Sequence, residues 1–190
     1  MSLFTRAYWK EAAGRLKNVR VLAATALLIA VTVAISALYI PLPINNLHVF
    51  FDYVPKSLCA AVCGPVAALG VGFVMDILGF LIHPFGAFFP GYTVTTMVAV
   101  LIYALGLYRR RMTVARIAVT KLAVNVICNI FLNSLWNSML YSKGFWVFVA
   151  SGTVKNLALW PVEVLIMVII FRLVTPVLEK QGFIVPQKKE

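Results

Sequence analysis

Residues 21–40, VLAATALLIAVTVAISALYI, run for twenty positions without a charged or amide side chain. As a helix rising ~1.5 Å per residue, this run is ~30 Å long, the thickness of a bilayer's hydrocarbon core. Arg20 precedes it, and Pro41 and Pro43 follow. Proline has no N–H to donate and stops the helix there. The same signature recurs at about 48–63, 65–82, 92–108, 114–140 and 145–174. The composition agrees: 62% of the 190 residues are hydrophobic, 12% are charged, and the mean hydropathy is +0.94. A soluble domain carries roughly a quarter charged residues.

The expected fold is therefore an all-α integral membrane protein. It is a single six-helix bundle over residues 1–190, with a basic flank at 1–20 and a tail at 175–190. The run at 48–63 is short for a span and is expected to begin deep, shielded by protein instead of lipid. The run at 145–174 is long, and its start is expected in a loop or interfacial turn.

The basic residues set the orientation. Arg6, Lys10, Arg15, Lys17 and Arg20 precede the first run, Arg109, Arg110, Arg111 and Arg116 separate the fourth and fifth, and Arg172, Lys180, Lys188 and Lys189 close the chain. Thirteen of the seventeen basic residues thus fall on one side, while segments 41–47 and 83–91 contain none. The positive-inside rule makes that side cytoplasmic and places both termini there, in a multi-pass protein of the bacterial plasma membrane. The net charge of +11 then belongs to a membrane face, and no nucleic-acid partner is expected. The stretch RAYWKEAAGRLKNVR (6–20) has two readings: an amphipathic helix on the anionic inner leaflet, with Tyr8 and Trp9 at headgroup depth, or a solvated basic flank. The first run is too long, and lacks the following small residues, for a cleaved signal.

Polar residues inside the apolar runs carry the functional reading. Lys121, Asn125, Asn129, Asn133 and Asn137 recur every fourth position, which on an α-helix gives a polar band winding slowly around one side. Amides at membrane depth need partners. The inner part of the ladder is expected to brace helices. The outer part, with Trp136, Tyr141, Lys143 and Trp146, combines amides, indoles and a cation suited to a polar heterocycle. Lys155 and Asn156 start the apolar part of the sixth run, where Lys155 either attracts an anionic group or snorkels to the interface. Glu163, beyond Pro161, is expected to satisfy a buried polar partner, and Asp76 to face the bundle interior.

The stretch HPFGAFFPGYT (83–93) is expected to reverse the chain, its aromatics Phe85, Phe88, Phe89 and Tyr92 suiting either a stacked ring or an interfacial belt. The proline-rich segment 41–55 suits a lid over an outward pocket, and its His48 has no second ligand at metal-binding spacing. Ala26, Ala30 and Ala34 form a small-residue stripe on the first helix, open to two readings: packing within the chain, or docking of a separate membrane subunit. Cys59, Cys63 and Cys128 read as buried packing residues.

The chain contains no phosphate-binding G-x-x-x-x-G-K-[ST], no H-E-x-x-H, no Cys-x-x-Cys and no nucleophile elbow. Neither enzymatic chemistry nor a cofactor is expected. Energy for transport must come from an ion gradient or from another subunit. The halves show no inverted repeat, which disfavours a self-contained transporter.

The stretches CGPVAALGVGFVMDILG, FGAFFPGYT, IYALGLYRRR, LNSLWNSMLYSKGFW and KNLALWPVEV carry a resemblance. The chain is similar to the substrate-binding S components of energy-coupling factor (ECF) vitamin transporters, most closely the folate-specific type. The resemblance implies a capture subunit taking up folate or a reduced folate from outside, partnered by a membrane coupling protein and two cytoplasmic ATPases. It makes Ala26, Ala30 and Ala34 the partner-binding stripe. It assigns the vitamin site to His48, Phe88, Phe89, Tyr92, Thr93, Asn133, Trp136, Asn137, Tyr141, Lys143, Trp146, Lys155 and Asn156. Folate-type members often carry Arg three positions before the Lys-Asn pair. Gly152 stands there in this chain, leaving Lys155 and Lys143 as cations for a carboxylate. The competing class is a self-standing facilitator or ion-coupled transporter with Asp76 and Glu163 as coupling groups. An S component for another vitamin is a variant of the first class, and an enzyme is the third class.

Overall fold

Five helices are long and apolar enough to cross a bilayer, in a computed structural model that describes residues 6–41, 48–84, 88–141 and 144–184. They are α2 (Val19–Ser36), α4 (Pro65–Ile82), α5 (Pro90–Leu107), the continuous helix Val114–Tyr141 and α8 (Phe145–Lys180). A shorter sixth, α3 (Tyr53–Cys63), completes the bundle. An antiparallel hairpin, β1 (Tyr39–Pro41) with β2 (His48–Phe50), lies between α2 and α3 and marks one end of the molecule. The basic residues mark the other.

At eleven residues α3 is ~16 Å long, about half a membrane. Every residue of it except Lys56 is buried, so it starts deep inside a wall of other helices, where its free backbone ends are screened from lipid. Lys56 is bridged to Asp52 at 2.7 Å. Cys59, Ala60, Ala61 and Cys63 form the centre of the core with Ala68, Val100, Ala104 and Met167. The three cysteines are unbridged and buried, and they act as small packing residues. Gly64 makes the turn into α4 at φ 82°, beneath the Tyr108 ring, where an added Cβ would lie 3.0 Å from the ring. Pro65 then opens α4 at the position where its missing N–H costs nothing.

The run at 114–140 is not uniformly α-helical. It divides into α6 (Val114–Val124), a π segment (Asn125–Leu132) and α7 (Asn133–Tyr141). Four-residue steps overshoot an α-turn slightly but fall short of the wider i→i+5 turn, so the π segment reverses the drift expected of the asparagine ladder. Nor is the start of the sixth run a loop: α8 begins directly at Phe145 and continues past 174 to Lys180. It ends in a paired cap, Phe183 N–H to the Leu178 carbonyl and Gly182 N–H to that of Glu179, both at 2.9 Å, with Gly182 at φ 74°. Phe183 then packs against Val21 and Val62 and draws the start of the tail into the bundle.

Helix α1 (Arg6–Gly14) crosses the basic end. Its Tyr8 and Ala12 are buried against Tyr108, so Tyr8 is a packing residue and not a headgroup-depth anchor, whereas Trp9 is 42% exposed. Burial pushes the Tyr8 hydroxyl above its ordinary pKa, against the opposing pull of Arg110, and keeps it neutral. On α2 the buried face is Val21, Thr25, Thr32 and Val33, while Ala26, Ala30 and Ala34 are exposed. Among the described residues, none buries this stripe.

Candidate functional site

At the hairpin end, α5 and α7 meet through an aromatic and amide wall. Pro90 and Gly91 start α5, and Gly91 is so closely covered that a Cβ there would lie 2.5 Å from both the Phe89 ring and the Trp136 indole. The Phe89 and Trp136 rings are 5.8 Å apart at 54°, and Tyr92 meets Phe89 edge-on at 6.0 Å. Trp136 Nε1 donates to Thr95 Oγ1 at 2.9 Å, which fixes the indole against α5. Tyr92 Oη donates to Asn137 Oδ1 at 2.8 Å. That bond uses the amide's oxygen and leaves its NH2 group outside it. The wall thus offers flat apolar faces beside an oriented amide, which is what a planar, hydrogen-bonding ring requires.

A second polar cluster lies deeper. Lys121 Nζ is 3.1 Å from Glu163 Oε1 and 4.0 Å from the centre of the Tyr53 ring. Asn125 Nδ2 donates to Glu163 Oε2 at 3.1 Å and to the Asn156 carbonyl at 3.4 Å, and Asn129 Nδ2 donates to Asn125 Oδ1 at 2.9 Å. Each of these contacts but the last joins two helices, so the inner ladder is a brace, and Glu163 has the buried partner expected of it. Asp76 brackets α4 to α5, accepting from Thr93 Oγ1 at 2.7 Å and Thr96 Oγ1 at 2.8 Å. An apolar groove of about 340 Å³ between α2, α3 and α8, lined by residues such as Leu28, Val31 and Ile166, presents no polar group and has nothing with which to orient a heterocycle.

The family described as "ECF transporter, substrate-specific component" matches residues 20–171. The chain belongs to this family. It is the substrate-specific component of an ECF transporter, a membrane-embedded transport subunit and not an enzyme. The folate transporter FolT of Leuconostoc mesenteroides subsp. mesenteroides is 36% identical over 126 residues, 63% of this chain and 68% of that protein. The folate transporter FolT of Clostridium novyi (strain NT) is 28% identical over 120 residues, 63% and 70% respectively. A crystal structure of FolT bound with folic acid superposes with a TM-score of 0.67 at 29% identity, covering 77% of this chain and 89% of that one.

The expected site residues of this S component separate in space. Phe89, Tyr92, Trp136 and Asn137 stand together, and Asn133, half-buried, begins the same helix α7. Phe88 instead packs against Phe80, the ring centres 5.1 Å apart and tilted at 59°, with 46% exposure. Thr93 is buried in the α4–α5 interface by its bond to Asp76. Tyr141 and Trp146 lie on the outer surface, Trp146 at 77% exposure. Asn156 is buried and donates to the Gly152 carbonyl at 2.8 Å, while Lys155 beside it is half-buried. Lys143 and the His48 side chain fall outside the described residues. Thr95, Gly91 and Tyr53 are not among the residues that the sequence singles out for the site. Each matters through a partner on another helix, and only the i+3 placement of Thr95 after Tyr92 hinted at it.

Proposed function

We propose that this S component captures folate or a reduced folate at the hairpin end of the bundle, and that ATP hydrolysed by separate subunits, acting through a membrane coupling protein, drives its import. The observation that carries the reading is the wall of Phe89, Trp136 and the Tyr92–Asn137 pair, a stacking surface with an oriented amide, in a chain whose relatives are named folate transporters. A pterin is a planar heterocycle edged with donors and acceptors and matches that chemistry. Its glutamate tail needs a cation. With glycine at 152, Lys155 on α8 and Lys143 are assigned that task.

Calorimetric titration of the purified chain with folic acid, reduced folates and unrelated vitamins tests the substrate. Saturable binding of a folate, without ATP, is expected. Tight binding of another vitamin with none of any folate would overturn the substrate and leave the family in place. Uptake into proteoliposomes is expected only when the ATPases and coupling protein are also present.

A further inference from the structure

The family match begins at residue 20 and ends at 171, and the two segments outside it hold on to each other. Arg15 Nη2 donates to the Phe183 carbonyl, tying the N-terminal flank to the turn after α8. The same guanidinium lies 5.7 Å from the centre of the Tyr108 ring, which also takes the Tyr8 ring at 5.6 Å. Tyr8 and Ala12, each 1% exposed, supply the inward face of α1. The helix is therefore fastened across the basic end and does not trail from it.

What α1 turns outward is specific. Among its described side chains Trp9, Lys10, Ala13 and Gly14 are exposed, and Lys17 and Arg20, in the link to α2 and its first turn, are exposed beyond it. Asn18 caps α2 through the Arg20 N–H, and Val19, 76% exposed, opens the membrane span. Only four residues separate the end of α1 from that span, so the outward face of α1 is held at headgroup level. By sequence this end gathers thirteen of seventeen basic residues against only Glu11, Glu179 and Glu190. An indole beside lysines on such a face matches the interface of an anionic leaflet, where each cation is attracted by the surface potential. A cytoplasmic protein would look for an apolar patch, and among the described side chains of α1 the exposed large apolar group is one indole, beside Lys10.

We propose that the clasped α1 is a docking surface for anionic phospholipid headgroups, preformed by the Arg15–Phe183–Tyr108 contacts. The test uses the full chain in nanodiscs of phosphatidylcholine with or without phosphatidylglycerol. A fluorophore is placed at Ala13→Cys, the native cysteines being fully buried. Quenching by headgroup-labelled lipids of each kind gives their relative association at α1.

The expected result is preference for phosphatidylglycerol, reduced about fivefold by Lys10→Gln and again by Lys17→Gln, weakened by salt, and unchanged by Lys56→Gln deep in the bundle. Arg15→Gln should raise the mobility of the label, read as lower anisotropy, and reduce the preference. Circular dichroism melting verifies that each variant is folded. Equal association of the two lipids would overturn the proposal, as would protection of the label by the ATPases with no lipid preference. A preference untouched by Arg15→Gln would overturn the clasp and leave an ordinary basic tail.

Discussion

Lys121 is 2% exposed within a membrane-spanning helix, and its charge is tolerated only because Glu163 and the Tyr53 ring face it. Lys121→Met should strand the Glu163 carboxylate and cost about 3–5 kcal/mol of stability, whereas Lys121→Met with Glu163→Leu should recover most of it. Melting of the ligand-free protein in detergent checks this, and equal loss in single and double variants would show that the pair is not the source. The asparagines divide by their partners. Asn137→Ala removes an oriented amide from the wall and should weaken folate binding roughly ten- to a hundredfold with little change in melting temperature. Asn125→Ala strips bonds from Glu163, Asn156 and Asn129 and should do the reverse. Similar affinity losses at both would merge the two clusters into one site. The sequence displayed the ladder and the need for partners. It did not say which rung faces which helix.

Among the elements, α4 and α5 are the most intimately joined. A Cβ on Gly72 would lie 2.7 Å from the Met97 Cα, and Asp76 clips the pair through two threonine hydroxyls. Asp76→Leu should lower stability by about 1–3 kcal/mol, less than two lost bonds imply because the threonines can turn back to their own helix carbonyls. Asp76→Asn keeps an acceptor and should cost less. Chemical denaturation ranks them, and a neutral Asp76→Leu would mean the clip contributes nothing. The π segment shows why element type was harder to read than element existence. Hydropathy reports that 114–140 is apolar and helical, but the switch to i→i+5 bonding at Asn125 is a tertiary adjustment, made where the ladder meets α8. It keeps Asn125 on Glu163 while, farther along, Trp136 and Asn137 reach Thr95 and Tyr92 on α5.

For the molecule as a whole, the exposed alanines of α2 give a prediction about assembly. Ala30→Trp should leave melting and folate affinity unchanged, because none of the described residues covers the stripe, and should abolish capture of the membrane coupling protein in a pull-down. Loss of ligand binding with intact capture would return the stripe to internal packing. By itself the sequence determined that this is a six-helix membrane protein whose basic residues gather on one side. Those properties are sums over neighbouring residues: run length against a fixed hydrocarbon thickness, and the tally of Lys and Arg in each loop. The tertiary structure decided the pairings, since Tyr92 meets Asn137 across 45 positions, Asn125 meets Glu163 across 38 and Arg15 meets Phe183 across 168. It also decided that half-length α3 survives in a bilayer by lying inside a wall of protein. A side chain's own type states that it needs a partner in a medium without water, but which partner it finds depends on how the helices cross.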